Sequence, residues 1–511
     1  MSAADLCRQI EDFLHAAPAS VVIEEGQVIF DLSTAKYALS AARDKCVLEM
    51  WSEERNHVRR VEGAELKNGV LRLTVRKFGQ AKPHKLEICA ERDRRTPAAK
   101  KAQRAAYQRA LERMLLRHFP DYTLDKKRLS LATDLEHSFG PAYARGLLRK
   151  GRAGYAVLGA GAGEPSATID AALAISLLWL ERCREQFADR GAIAGLKLFV
   201  PAGTSETLRA RAAHLSGANV RVYEVQEREE SLTEFDPADG GNIATRLVHA
   251  PNEAAAHERM AGAIAKINAA VPSAEVAVTS AAEVSFRVHG LEFARARVGA
   301  GQEITFGAGR FEVALTDDNE PQFRELMTRV VAARRPGGDK RDPLWRMQPE
   351  RWLEAVVKAD ITAIDAQLDP RFVYSQVPAF AASDRAMIDV LARTRSGRLA
   401  VIELKADEDL QLPMQGLDYW SRVHFHQQRG EFAKFGYFPG ETLTPEPPLL
   451  YLVAPALRVH PSTDTLLKFL APKIEWSFVG VNEDWRCGLK VIFRKSRGEI
   501  HHRDTEAQRK S

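Results

Sequence analysis

The stretch from Asp384 to Trp420 (DRAMIDVLARTRSGRLAVIELKADEDLQLPMQGLDYW) limits the possible folds more than any other part of this 511-residue chain. Two apolar runs, Ala386–Ala392 and Leu399–Leu404, flank the turn-forming Thr394-Arg395-Ser396-Gly397 and predict a β-hairpin. Asp389 sits in the first run, Glu403 near the end of the second, and Lys405 just after it. Residues two apart on a strand leave by the same face, so Glu403 and Lys405 are expected to point the same way. A helix is expected next, because Leu410, Met414, Leu417 and Val423 recur at helical spacing and Pro413 is tolerated in a first turn. Two carboxylates and an amine gathered at one strand end make a poor core and a good reaction site.

Those residue types suit hydrolysis of a phosphodiester. The reaction needs charge neutralised on the phosphate, an activated water and a stabilised leaving oxygen, and one or two Mg²⁺ ions supply all three. Mg²⁺ keeps much of its water and takes one or two carboxylates from the protein. Asp389 and Glu403 fit that role, and the Lys405 ammonium would orient or deprotonate the nucleophile and steady the developing charge. A bland alternative is a solvated strand edge with a surface ion pair worth little. The apolar runs that hold Asp389 and Glu403 argue against it.

The arrangement Ile388-Asp389, Glu403-Leu404-Lys405 and Gln415-Gly416-Leu417-Asp418-Tyr419 resembles the PD-(D/E)XK nuclease superfamily, in particular its members with a QxxxY motif, the RecB-type nucleases and NucS-like DNA endonucleases. The resemblance covers about residues 345–479, and Ile-Asp stands where the family name has Pro-Asp. It implies a restriction-endonuclease-like αβββαβ core with an acid on the first helix. Pro349–Ile364 supplies that helix, with Leu353, Val356, Val357 and Ile361 as its apolar face and Glu354 as the acid; Glu350, one turn earlier, is the rival. Val373–Val377 would be the first strand, the hairpin the second and third, and Leu449–Ala454 the fourth. The resemblance further implies Mg²⁺ or Mn²⁺ held by Asp389, Glu403 and Glu354, with Lys405 at the nucleophilic water. Gln415 and Tyr419 would contact the nucleotide backbone or buttress the strand carrying Glu403. The expected activity is that of a metal-dependent nuclease, an endonuclease by kind, acting on DNA rather than RNA. The alternative is a catalytically inactive nuclease-fold module that binds nucleic acid.

The length predicts several domains in a multidomain α/β protein. We divide it into a β-rich segment 1–95, an α/β segment 96–240 led by a basic helix, a small mixed segment 241–340, the nuclease-like segment 341–495 and a basic tail 496–511. A charge of +5 is only mildly basic, so partners must be read from clusters of charge. Five scattered cysteines without a CxxC point to reduced thiols, a cytoplasmic protein and no zinc module. Asp5, Glu11 and Asp12 interrupt any secretory leader, and the apolar run Ala171–Leu180 is too short to cross a bilayer. No membrane partner is expected.

In the first segment a short helix precedes strands at Val21–Ile23, Val28–Leu32, Val58–Val61, Val70–Val75 and Lys85–Cys89, with turn signals at Glu25-Gly26 and Asn68-Gly69. Arg59, Arg60, Arg72, Arg76, Lys77, Lys82 and Lys85 make it basic: a solvated face, or a surface for phosphates. The helix Thr96–Phe119 carries an apolar stripe (Tyr107, Leu111, Met114, Leu115, His118) and cations at Lys100, Lys101, Arg104, Arg109, Arg113 and Arg117, which suit solvent or an acidic partner.

Strands at Leu129–Ala132, Tyr155–Leu158, Leu196–Val200 and Val220–Val225 alternate with helices at Ala142–Arg149, Ser166–Arg184 and Ser205–Leu215, predicting a largely parallel sheet. Gly159-Ala-Gly161-Ala-Gly163 lies at a strand-to-helix turn, but Glu164 occupies the place of the last glycine of a dinucleotide motif and would repel phosphate. Asp134, Glu136 and Asp170 suggest a degenerate second nuclease-like site only remotely, because no ExK accompanies them. Residues 227–240 read as an acidic loop, and Arg334–Lys340 (RRPGGDK) as a linker. Asp317-Asp318-Asn319-Glu320 lacks the glycine of a calcium loop and reads as a solvated turn. His424 and His426, two apart, share no helix face, and neither HExxH nor GxSxG occurs.

Overall fold

The structure, a computed structural model, describes residues 2–17, 20–24, 27–32, 36–42, 45–51, 56–67, 69–77, 82–89, 97–227, 229–235, 245–298, 302–308, 312–380 and 385–497. Helix α1 (Ala3–Ala16), capped by Ser2, lays Leu6, Ile10 and Leu14 on an antiparallel sheet. Its strands are β1 (Val21–Glu24), β2 (Gln27–Asp31), β3 (Lys36–Ala42), β4 (Lys45–Trp51), β5 (Asn56–Lys67), β6 (Val70–Lys77) and β7 (His84–Cys89). Strands β3 and β4 were not expected, although Cys46, Leu48 and Met50 alternate inward as a half-buried strand should. The turn at Glu25-Gly26 and residue Asn68 lie outside the described residues.

Next come α2 (Pro97–His118), β8 (Thr123–Leu124), β9 (Tyr143–Lys150), β10 (Ala153–Ala160), α3 (Ser166–Asp170), α4 (Ala172–Phe187), β11 (Ala192–Pro201), α5 (Glu206–Ala212), β12 (Val220–Gln226) and β13 (Ser231–Phe235). The strands lie side by side in chain order. Only β10, β11 and β12 are parallel; both flanks are antiparallel, so the sheet is mixed. The expected helix at Ala142–Arg149 is strand β9. Its apolar residues at spacing four imitate a helical stripe, but Gly151, at φ 62, turns the chain into a hairpin that pairs Lys150 with Ala153. Leu129–Ala132 forms no strand and contributes one bridge, Ser130 to Arg145. Within the expected acidic loop, Ser231–Phe235 pairs with β12, and Arg221 meets Glu234 at 2.9 Å. His118 is exposed and does not join the buried stripe of Tyr107, Leu111, Met114 and Leu115.

A third group comprises β14 (Arg246–Leu247), α6 (Glu253–Arg259), α7 (Ala261–Ala270), β15 (Glu275–Ser280), β16 (Glu283–Val288), β17 (Leu291–Val298), β18 (Gln302–Phe306), β19 (Val313–Ala314), α8 (Glu320–Ala333) and α9 (Pro343–Arg346). Strands β15–β19 form their own antiparallel sheet over Phe286, Phe293 and Phe323. Of the expected linker that follows, Arg335, Pro336, Gly337, Asp339 and Lys340 are exposed, and its first residue is packed. Arg334 is fully buried, lies 4.2 Å from the Trp352 ring and donates to the carbonyls of Met347 and His289 at 2.6 Å each.

The last group is α10 (Pro349–Ala359), β20 (Leu368–Phe380), β21 (Arg385–Thr394), β22 (Leu399–Leu404), α11 (Leu412–Gln428), α12 (Glu431–Lys434), β23 (Leu449–Pro455), α13 (Thr463–Lys468), β24 (Trp476–Val481) and β25 (Val491–Ser496). The hairpin forms as expected, with Val390 opposite Ile402 and Arg393 opposite Leu399, and Gly397 takes φ 96 in its turn. Strand β22 then runs parallel to β23, which places Glu403 beside Leu452. Strands β14 and β5 add to this sheet through β20 and β21. The basic tail beyond residue 497 lies outside the described residues.

One apolar core crosses from the second group to the last, joining Leu158, Leu177 and Leu198 to Val401, Leu417, Trp420 and Leu452. Helix α11 crosses β23 at Gly416, where a Cβ would come within 2.5 Å of Leu452 Cδ2. Gly416→Val should therefore lift α11 and cost about 1–3 kcal/mol, as overpacking does. Guanidinium unfolding measures this; an unchanged midpoint would show that the helix is not held so closely.

Candidate active site

The hairpin and α10 bring the predicted acids and the lysine together. The backbone N–H of Leu404 donates to Asp389 Oδ2 at 3.0 Å, tying the acid of one strand to the end of the other. Lys405 leaves the strand but stays alongside β23, its N–H donating to Val453 O at 3.0 Å. Its buried ammonium lies 3.5 Å from Glu350 Oε1, 3.8 Å from Asp409 Oδ2 and 3.9 Å from Glu403 Oε1. Glu350 and Glu354, rivals in the sequence, both belong to the cluster. Glu354 is buried, and its Oε2 accepts from Arg351 Nη1 at 2.9 Å and from Gln376 Nε2 at 2.7 Å.

Burial shifts two of these carboxyls. Burial pushes the Glu354 carboxyl up to about 7; Arg351 opposes this and the nearby Asp389 charge adds to it. Burial also raises Asp389, against the pull of Lys405 and Arg351. Carboxylates driven towards protonation in this way are ones that a divalent cation would return to the ionised form, so the donor set fits a hard metal. Glu354, Asp389 and Glu403 would be the oxygens to hold it, with Glu350 and Asp409 also in the cluster. Among the described residues, the trio whose ligand atoms all fall within 4.8 Å of one another is instead Asp134, Glu136 and His137. There His137 Nδ1 lies 2.9 Å from Asp134 Oδ2, and this hydrogen bond holds the Asp134 carboxyl below its usual range. Asp170, grouped with Asp134 and Glu136 in the sequence, is not part of that trio. Glu354, Asp389 and Glu403 do not meet that spacing.

Gln415 and Tyr419 sit on α11, and none of these contacts involves them. Tyr419 is buried in the core that α11 shares with β23. The Gln415 Oε1 is buried without a hydrogen-bond partner. Asp418, between them, accepts from Arg211 of α5 at 3.0 and 2.7 Å.

The sequence reading missed Arg351, Gln376 and Asp409. Gln376 lies in β20 between Ser375, opposite Val390, and Val377, opposite Ile388, and has φ 55. A non-glycine residue in that conformation inside a strand is strained and aims its side chain at Glu354. No sequence signal announces such strain. Arg351 had one, its spacing of three from Glu354 on a helix. A groove of about 980 Å³ opens beside Arg351 and Gln376, and both cations (Arg287, Arg295) and acids (Glu283, Glu292) line it.

The basic surfaces suggested for phosphates are largely engaged within the chain. Arg59 pairs with Glu24 at 2.7 Å, Arg72 with Glu87 at 2.9 Å and Arg76 with Glu62 at 2.9 Å. On α2, Arg104 holds Glu164 at 2.6 Å, and Arg113 and Arg117 both meet Glu230. Glu164 thus serves as a structural partner beside the glycine-rich turn.

No known family model, no curated protein and no solved structure matches this chain. Among the described residues no helix is long and apolar enough to cross a membrane.

Glu354 makes stability depend on pH. Its folded pKa, about 7, lies above the ordinary 4.5, so the folded protein holds the proton more tightly. That stabilisation is complete below about pH 4.5 and is lost as pH rises through 7, on the order of 3 kcal/mol at most. Metal-free Glu354→Gln should lack this decline. Denaturant midpoints between pH 5 and 8 test it, and parallel curves for the two proteins would refute it.

Proposed function

We propose that the chain is a Mg²⁺- or Mn²⁺-dependent nuclease of the PD-(D/E)XK type, acting on DNA. The observation that carries this reading is the buried Lys405 ammonium within 3.9 Å of Glu403 and 3.5 Å of Glu350, with Asp389 tied to the same strand end. The chain order α10, β20, β21, β22, α11, β23 agrees with the order that the resemblance implies.

A divalent ion held by Asp389, Glu403 and Glu354 would supply charge neutralisation at the phosphate and a more acidic water. The protein's own groups do the remaining work. Lys405 presents its ammonium to the nucleophile and to the charge on the phosphoryl oxygens. Arg351 and Gln376 fix the Glu354 carboxylate so that little reorganisation is needed during reaction. The arginines of the adjoining groove already meet acids of the chain, Arg295 with Glu292 at 2.6 Å and Arg371 with Asp369 at 2.7 Å, so substrate phosphates would have to compete with those pairs. Gln415 and Tyr419 act, in this reading, by bracing α11 against β23 and not by touching substrate. A catalytically silent nucleic-acid-binding module remains the rival, and the intact acid and lysine set weighs against it.

Purified protein should cleave DNA with Mg²⁺ or Mn²⁺, and Asp389→Ala or Lys405→Ala should lower the rate by at least about 100-fold. Cleavage that survives both changes in well-folded protein would exclude this site. By calorimetry, Mn²⁺ heat should vanish in Glu403→Ala. Salt-sensitive DNA binding without turnover, equal in wild type and Lys405→Ala, would favour the silent module instead.

A further inference from the structure

We infer that residues 97–235 are a second copy of the unit at 349–496 that lacks the reacting groups, so that one chain is a self-sufficient pseudo-dimer with a single hydrolytic site. The chemistry of this inference rests on the nuclease reading; the duplication rests on topology. The elements α2, β8, β9, β10, α4, β11, α5, β12 and β13 correspond in order to α10, β20, β21, β22, α11, β23, α13, β24 and β25. In both units the six strands are adjacent in chain order. Successive pairs are antiparallel, antiparallel, parallel, parallel and antiparallel in each.

Packing gives an independent match. The helix before the sheet covers Val157, Phe199 and Val225 in one unit and Ile402, Val453 and Val481 in the other. The opposite faces, Ala156, Leu198 and Val222 against Val401, Leu452 and Phe478, enter the shared core. Both central parallel strands end in proline, Pro201 beside Val225 and Pro455 beside Val481.

This alignment locates the missing site. Gly159 lies beside Phe199 as Leu404 lies beside Val453, which sets Leu158 where the active unit has Glu403 and Ala160 where it has Lys405. Arg145, opposite Leu158, then takes the place of Asp389. Arg145 is buried, donates to the carbonyls of Ala132 and Gly140 at 2.6 and 3.0 Å, and lies 4.8 Å from the Phe139 ring, so it serves the fold. Helix α2 closes over this strand end: a Cβ on Gly159 would meet Leu111 Cδ2 at 2.5 Å and Tyr107 Oη at 2.6 Å. The glycine-rich turn that suits no nucleotide is the blank counterpart of the Glu403–Lys405 strand end.

The two units face each other as a two-fold pair would. Helix α4 contacts α13, and its counterpart α11 contacts α5, the counterpart of α13. The segments after α5 and α13 pair antiparallel, with Leu215 opposite Leu470. The Ser216 N–H donates to Phe469 O at 2.7 Å, and the Ala471 N–H to His214 O at 2.9 Å. An isologous pair of this kind ordinarily offers two equivalent sites, whereas this chain offers one. A single chain should therefore cut one strand per encounter and require no second chain.

Mixing tests this. Wild type is diluted with Asp389→Ala chains, or in a second series with Lys405→Ala chains, at constant total protein. The substrate is supercoiled circular DNA with Mn²⁺, and sedimentation gives the mass of the same samples. The rate should fall in proportion to the wild-type fraction, to half at equal mixture. Nicked circles should accumulate before linear ones, and the protein should sediment near 56.8 kDa. A fall to one quarter at equal mixture, linear product formed as early as nicked, or twice that mass would overturn the inference. Absence of scission at every ratio would remove both the inference and the nuclease reading, a result distinct from the quadratic one.

Discussion

Burial of charge around Lys405 is the constraint that the C-terminal unit is built to satisfy. An ammonium taken out of water costs several kcal/mol unless opposite charges and hydrogen bonds surround it. Here the carboxylates come from three elements: Glu350 from α10, Glu403 from β22 and Asp409 from the segment before α11. Removing one partner of such a buried set typically costs about 3–5 kcal/mol, far more than a surface pair. The register of the hairpin, the parallel run of β22 beside β23 and the seating of α10 are therefore all tied to one side chain. Burial raises the Glu354 and Asp389 carboxyls of that cluster, against the pull of Arg351 on both and of Lys405 on Asp389.

The hairpin and its charged residues were legible because the information is local: apolar runs, a Ser-Gly turn and an ExK spacing. Helix α10 was legible from its apolar face, although the reading stopped short of Trp352, which is fully buried within it. What failed depended on distant partners. Tyr143–Lys150 became a strand through its hairpin with β10, against a helix-like spacing. Arg334–Lys340 has a linker's composition, yet carbonyl oxygens and an indole ring enclose its first guanidinium. Gln376 contributes through a backbone strain that composition cannot express.

The duplicated architecture was hidden for the same reason. Its correspondences are pairings and faces, while the residues that would have advertised it, an acid, a glutamate and a lysine, are replaced by Arg145, Leu158 and Ala160. A misassigned β9 removed the one strand needed to recognise the pattern. The acids considered there instead, Asp134 and Glu136, lie on the segment before β9 and belong to no counterpart of the Asp389 cluster. With the strands of the two units matched in order, the apolar layer between them is an interface inside one chain.

The enclosed Arg334 joins the two segments on either side of the expected linker. Its guanidinium holds the carbonyl of His289, in the turn between β16 and β17, and lies on Trp352, between Arg351 and the acid-bearing turn of α10. Gly290, at φ 75, lets that turn approach so closely that a Cβ would lie 2.0 Å from the Arg351 carbonyl oxygen. The five-stranded sheet and the helix that carries Glu350 and Glu354 are thus mechanically clamped. One guanidinium and one indole therefore fix how far the small sheet stands from the helix that bears those two carboxylates.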